Sequence, residues 1–380
     1  MRPYDVIVIG LGGMGGAALY HLAKRGASVM GIEQFEIGHD RGSSHGRTRI
    51  MRRAYFEHPD YVPLVDRSHV MWAALADETG EALLHRSGLF LAGRPEDAVI
   101  RGVREAARAH AVRVETVDHA DLDGRFPGLR AANDMEVVFE PDAGFLRVEE
   151  CVRAHVERAS ALGAYVRLGE EVETWEADAN GVRIVTDRGT YLAEKLIICA
   201  GPWAGQLLSE MRIPLDVRRV VVVWFRSDNP AHRLDRGAPV FGYDLGDGFF
   251  YGFPVLDDRG MKIGEHIGRQ RVTNPSSLDR TLHEDDLPRL HSLIDRFLPG
   301  VTHEVISHGV CMYTMTPDEH FIVDRHPHHE NVFFAAGFSG HGFKFAPVIG
   351  AALADLCIKG NTDAPIEFLS ASRPALHAHA

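Results

Sequence analysis

Three glycines, Gly10, Gly12 and Gly15, follow the apolar run DVIVIG, and an acid, Glu33, ends the next apolar run, ASVMGIE. This G-x-G-x-x-G spacing permits a tight turn and lets backbone N–H groups approach a pyrophosphate at a helix start. A carboxylate about 20 residues further on accepts from a ribose hydroxyl. The chemistry predicted is dinucleotide binding. It requires a strand before the glycines and a helix after them, and residues 4–33 read as such a βαβ unit, with GGAALYHLAKRG as the helix and Gly26 closing it.

Other residues are ambiguous on their own. Cys311 sits in a β-like run beside Tyr313, before an acidic turn and His320; a lone thiol there reads as inert packing. Residues 34–56 are rich in Gly, Ser, His and Arg, without helical or strand periodicity, and read as a long functional loop holding His45, Arg49 and Arg52. An arginine fork suits a carboxylate. Lys344 falls near a predicted helix start, where positive charge is electrostatically unfavourable without a nearby anion. HPHHE, residues 326–330, reads as a surface turn between strands; no acidic or cysteine cluster with ligand spacing adjoins it, so no metal site is expected.

Such residues need a scaffold. The chain has 380 residues, more than the roughly 250 to 300 at which single cores stop growing, so two domains are expected. A helix is predicted at 59–77, a strand at 87–93 and a helix at 96–110. Residues 147–201 read as helix and short strands, with turns at Asn180-Gly181 and near 187–189. Strands dominate 214–268, a helix covers 284–297, and NVFFAAG is a strand followed by the glycine-rich loop GFSGHGFKF and a helix over 345–358. The fold class predicted is two-domain α/β: a Rossmann-like part from 1–85, 145–213 and 305–380, and a mixed or antiparallel-sheet substrate part from 86–144 and 214–304.

With 41 basic against 53 acidic residues and a formal net charge of −12, the chain is not a general nucleic-acid binder. No apolar run approaches the ~20 residues of a membrane helix, and a strand from about Tyr4 leaves no room for a secretory signal. Cys151, Cys199, Cys311 and Cys357 are widely spaced. They suggest neither zinc binding nor disulfides, and a cytoplasmic setting. The terminal HAHA reads as a tail.

FAD is favoured over NAD because KLIICAGPWA is similar to the second strand-and-glycine segment of flavoproteins, and because a further glycine loop and helix lie near the C-terminus. More specific are GSSHGRTRIMRRAY (42–55), YGFP (251–254), MKIGEH (261–266), VCMYTMTPDEHFIVD (310–324) and AAGFSGHGFKFAPVIG (335–350). In order and spacing these resemble the monomeric sarcosine oxidase and N-methyltryptophan oxidase family, from the first strand to near Pro374. The resemblance implies an FAD-dependent amine oxidase, expected as a monomer, with a small amino acid and oxygen as its partners. It implies oxidation of an N-methyl or other secondary α-amino acid to an imine, which hydrolyses to the primary amino acid and formaldehyde while oxygen becomes hydrogen peroxide.

It also assigns roles. Cys311 is expected to carry the flavin covalently. Arg52 and Lys344 clamp the substrate carboxylate, and Lys262 promotes reaction with oxygen. Arg49 and His45 lie beside the flavin; Tyr251, His266 and Tyr313 line the substrate cavity; His341 sits in the loop over the flavin edge. Cofactor contacts are expected from Gly10, Gly12, Gly15, Glu33, Ser43, Arg49, Val172, Gly201, Gly340, Gly342 and Lys344. Two departures stand out: Ser44 replaces a histidine and Arg47 an acid of many relatives, at what should be the active-site entrance. Competing readings are a dehydrogenase passing electrons to a quinone or protein, separable by peroxide yield, and a flavin-binding regulatory protein without turnover. A nicotinamide dehydrogenase ranks last.

Overall fold

The computed structural model describes residues 4–377, so the terminal HAHA lies outside the described residues except for His377. The chain opens with β1 (Tyr4–Ile9), α1 (Gly13–Lys24) and β2 (Val29–Glu33). β1 pairs in parallel with β2 on one side and with Gly189–Ile198 on the other. A central parallel strand is covered on both faces, which is why VIVI is apolar throughout rather than alternating. Gly10 leaves the sheet with φ of +82°, and a β-carbon there would lie 2.5 Å from the Cys199 carbonyl oxygen. At Gly15 the missing β-carbon would fall 1.7 Å from the Gly10 oxygen, so glycine alone lets α1 sit this close to the turn.

This first sheet runs Val172–Asp178, Gly181–Thr186, Gly189–Ile198, β1, β2, Tyr165–Leu168. Val332–Ala336 joins Gly189–Ile198 in parallel and pairs with Ile322–Arg325. The second sheet has nine strands. From Gln270–Arg271 it passes through Asp216–Ser227, Met261–Glu265, Phe249–Phe253, Val240–Asp244, Leu89–Gly93 and Glu136–Glu140 to Glu115–Val117. One of its pairs, Val240–Asp244 with Leu89–Gly93, is parallel. Its core is aromatic: Tyr243 stacks on Phe297 with centroids 4.8 Å apart. Burying rings of this kind contributes about 1.5–3 kcal/mol each. The α/β class is the one the periodicities predict, with a small third sheet of Thr48–Met51, Gly144–Arg147 and Leu84–His85 beside the two large ones.

Three details differ. Within the expected loop 34–56 lies β3 (Thr48–Met51), antiparallel to Gly144–Arg147; its partner is distant in sequence, so no local alternation marks it. The helix expected at 284–297 splits into a 3-10 turn, Glu284–Asp286, and Pro288–Phe297, because Pro288 has no N–H to continue a helix and suits a first turn. The boundary expected at 304/305 falls inside Val301–Met315, a 15-residue strand that pairs with Asp216–Ser227 along its length. Among the described residues no helix is long and apolar enough to cross a membrane.

Candidate active site

At the C-terminal ends of β1 and β2 lies a cavity of about 300 Å³, where open α/β sheets bind ligands. Gly10, Gly12, Glu33, Ser43, Arg49, Val172, Gly201, Gly340 and Gly342 all line it. Gly15 does not; it acts one layer below, through the turn. Gly12 has no side chain to cap α1 and the first turn holds no acid; Ser44 Oγ takes the Gly13 N–H, and the N–H groups that follow suit an anion. Glu33 is held by the Leu11 N–H at 2.8 Å and the Phe35 N–H at 3.1 Å, leaving carboxylate lone pairs free to accept hydroxyls. Thr314 also lines the cavity, and its buried hydroxyl has no hydrogen-bond partner. An orphaned buried hydroxyl beside glycines and free helix N–H groups fits a bound dinucleotide.

A smaller cavity of about 60 Å³ adjoins it, and Arg49, Tyr313, Gly340 and Phe343 line both. Arg52, Tyr251, His266 and Lys344 line the smaller one. Lys344 therefore belongs to this cavity rather than to the cofactor cleft. Arg52 is buried between the Tyr55 and Phe56 rings, 4.3 and 4.0 Å from their centroids. Its Nη2 donates to both oxygens of Glu57, at 2.6 Å each. Burial would raise the Glu57 pKa, but Arg52, His341 and Lys344 hold it down to about 2. An internal carboxylate thus already sits on the cation expected to clamp an external one.

Lys344 Nζ donates to the His341 carbonyl at 2.7 Å and to the Tyr55 hydroxyl at 3.4 Å. Burial first, then Arg52, pulls its pKa down to about 7. His341 Nε2 lies 3.1 Å from the Glu319 carbonyl and must donate to it, so Nδ1 accepts from Tyr55 at 2.5 Å. His341 thus braces Tyr55 and Lys344, and it lines the smaller cavity. His266 Nδ1 lies 3.3 Å from the Tyr313 hydroxyl, and burial lowers its pKa to about 4.

Lys262 is buried. Its Nζ donates to the Gly46 carbonyl at 2.6 Å and to the Thr48 carbonyl and hydroxyl at 3.1 Å each. Burial, then Arg49, lowers its pKa well below the ordinary lysine value. Three acceptors oppose that pull, because only the ammonium form has three protons to donate. His45 is buried with an unpartnered Nε2 and is held to about 3 by burial and then by Arg49. Cys311 is buried, with Arg49 Nη2 3.6 Å from its sulfur.

Neither departure lines the smaller cavity. Ser44 Oγ accepts from the Gly13 N–H at 3.1 Å and faces the cofactor cleft. Arg47, at φ +69°, pairs with Asp257. Sequence reasoning missed Glu57 and Thr314. Glu57 had a signal, an acid five residues after Arg52 in RRAYFE; Thr314 had none beyond its place in CMYT.

The family of FAD-dependent oxidoreductases designated DAO matches residues 5–356. Monomeric sarcosine oxidase of Streptomyces avermitilis is 40% identical over 99% of each chain. N-methyl-L-tryptophan oxidase of Yersinia pestis is 35% identical over 91% of this chain and 93% of its own. Among solved structures, NikD, an unusual amino acid oxidase essential for nikkomycin biosynthesis, superposes with a TM-score of 0.86 at 26% identity, covering 97% of this chain and 98% of NikD. A dinucleotide cleft joined to a cation-lined cavity, on a fold and sequence shared with these enzymes, establishes that the chain belongs to the DAO family of FAD-dependent oxidoreductases, in its monomeric sarcosine oxidase and N-methyltryptophan oxidase group.

Proposed function

We propose that the protein oxidises sarcosine or another small N-methyl α-amino acid with oxygen, giving the primary amino acid, formaldehyde and hydrogen peroxide. The supporting observation is the convergence of Arg52 and Lys344 on a 60 Å³ cavity that shares Arg49 and Tyr313 with the cofactor cleft. Phe56, Phe249, Tyr251 and Phe253 crowd this small cavity, which favours a glycine-like substrate over one bearing an indole.

FAD, held by the Gly10–Gly15 turn and Glu33, supplies the two-electron acceptor for the C–N oxidation. The chain's own residues position the reactants. The substrate carboxylate replaces Glu57 on Arg52 and gains Lys344, a bidentate fork plus a point charge. This orients the secondary amine and its methyl group toward the cleft side, a proximity effect. His266 and Tyr313 face the amine as neutral groups, since burial lowers the first pKa and raises the second. The amine must therefore arrive neutral or lose its proton to solvent, and activity rises with pH accordingly. Lys262 and Arg49 place fixed positive charge where reduced oxygen forms. Cys311, beside the Arg49 guanidinium, is the residue assigned to covalent attachment of the cofactor, and the chain acts as a monomer, as relatives named for that state suggest.

The test is a peroxide-coupled screen of sarcosine, larger N-methyl amino acids and cyclic imino acids on the flavin-loaded protein. Sarcosine is expected to turn over fastest, and N-methyltryptophan poorly. Flavin reduction without peroxide would instead indicate another electron acceptor. Acid-denatured protein is expected to retain flavin on the peptide containing Cys311; complete release would remove the attachment.

A further inference from the structure

The histidine-rich turn after Ile322–Arg325 acquires, in three dimensions, the acidic partner that its sequence neighbourhood lacks. Glu210, on the 3-10 turn Ser209–Met211, brings Oε1 to 3.0 Å from His326 Nε2 and 3.2 Å from His329 Nε2. All three ligand atoms lie within 4.8 Å of one another. We propose that Glu210, His326 and His329 form a binding site for a first-row divalent cation, Zn²⁺ foremost, separate from the flavin site.

The two oxygen–nitrogen distances suit a shared ion. Ligands about 2.0–2.1 Å from a common ion stand roughly 2.9 Å apart at a right angle and about 3.4 Å apart at a tetrahedral one. The pair does not behave as a settled hydrogen-bonded ion pair. His326 is buried, and its Nε2 has no hydrogen-bond partner although a carboxylate oxygen lies at 3.0 Å. Buried imidazole nitrogens are ordinarily satisfied, so this one points to an absent ligand.

The scaffold is pre-formed on three elements. The His326 N–H donates to the Val332 carbonyl at 2.8 Å, and the Val332 N–H to the His329 carbonyl at 3.1 Å, closing the turn. Trp175 packs edge-on against both rings, at 5.7 and 5.4 Å, and its Nε1 donates to the Leu207 carbonyl at 2.8 Å. His326 Nδ1 accepts the His328 N–H at 3.2 Å, so the metal-free ring carries its proton on Nε2. Metal uptake at Nε2 moves that proton to Nδ1, and the His328 N–H then turns from the ring to solvent.

Two imidazoles and one carboxylate suit Zn²⁺, Co²⁺ or Ni²⁺ rather than the all-oxygen shells of Ca²⁺ and Mg²⁺. Glu210 is 47% exposed on its side chain, so water completes the shell. Leu207 lines the cofactor cleft, so the ion would tie the rim of that cleft to the turn between Ile322–Arg325 and Val332–Ala336.

The experiment uses chelator-treated holoenzyme titrated with ZnCl₂ by calorimetry, with MgCl₂ as control and melting temperature followed in parallel. One saturable Zn²⁺ site per chain and a raised Tm are expected, with no response to Mg²⁺. Glu210→Gln and His329→Ala change exposed or half-exposed side chains. Each is expected to weaken uptake by more than about tenfold, since even outer partners of metal ligands are worth that much. Co²⁺ absorption in the visible, lost in both variants, reports the same site. No saturable Zn²⁺ uptake, or unchanged uptake and Co²⁺ spectrum in both variants, overturns the proposal.

Discussion

The cofactor cleft and the smaller cavity share a wall but are built from different materials. The cleft is made largely of backbone: a turn at Gly10, the start of α1, and glycines where side chains would intrude. The smaller cavity is made of charged and aromatic side chains, with Arg52 already tied to Glu57 and Lys344 to His341. A backbone site waits for its ligand with donors in place. A side-chain site carries its own counter-charge, so its ligand must win an exchange, which lowers affinity but keeps the buried cation paired in the free protein.

The sharpest way to break this contrast is Gly15→Val. The added atoms collide with the Gly10 oxygen, which other residues cannot relieve, and near-complete loss of flavin absorbance in the purified protein is expected. Retained flavin would mean that the turn is not what holds the cofactor.

Arg52→Ala should leave the cleft filled but lower kcat/KM by about 10²–10³, the range for truncating one partner of a buried charged contact at 2–5 kcal/mol. It also strands Glu57, so Tm should fall. Glu57→Gln separates the two effects, because it removes the internal competitor while sparing the clamp. Steady-state kinetics on both variants decide whether Arg52 acts on the substrate or only on Glu57.

Lys262→Met sharpens the comparison at the junction. Reoxidation of the reduced enzyme by oxygen should slow by about 10²-fold, in the range for losing one preorganised charge partner, while reduction by substrate is little changed. Stopped-flow measurement of the two half-reactions checks this, and equal slowing of both would assign Lys262 a structural role.

The smallest effect concerns Lys344. Its pKa near 7 means that the ammonium is lost as pH rises through that value, so carboxylate binding should weaken several-fold on the alkaline side. Propionate, which has no amine to titrate, is the suitable probe. Its Kd followed across pH should lose the dependence in Lys344→Met.

Legibility in the sequence follows the same division. Gly10, Gly12, Gly15 and Glu33 were readable because βαβ periodicity places them and backbone geometry dictates their type. Lys262 was readable only by resemblance, since nothing local distinguishes a buried lysine in MKIGEH from an exposed one. β3 was hidden because its partner, Gly144–Arg147, lies far along the chain. Glu57 and Glu210 were missed for one reason: the role of a carboxylate depends on which cation or imidazole the fold brings to it. Ser44 and Arg47 share one loop, yet that loop turns one toward the cofactor cleft and the other toward Asp257.

The long strand Val301–Met315 carries a final implication. Cys311 and Tyr313 share one face of it, and Met312 and Thr314 the other, while its register with Asp216–Ser227 is irregular only between Trp224 and Ser227. Sliding the strand by a single residue would exchange those faces. A thioether that cannot lose a proton would then stand where the thiol is. For the attachment proposed at Cys311, alignment between two strands, rather than any loop, therefore sets whether a thiol stands at that position.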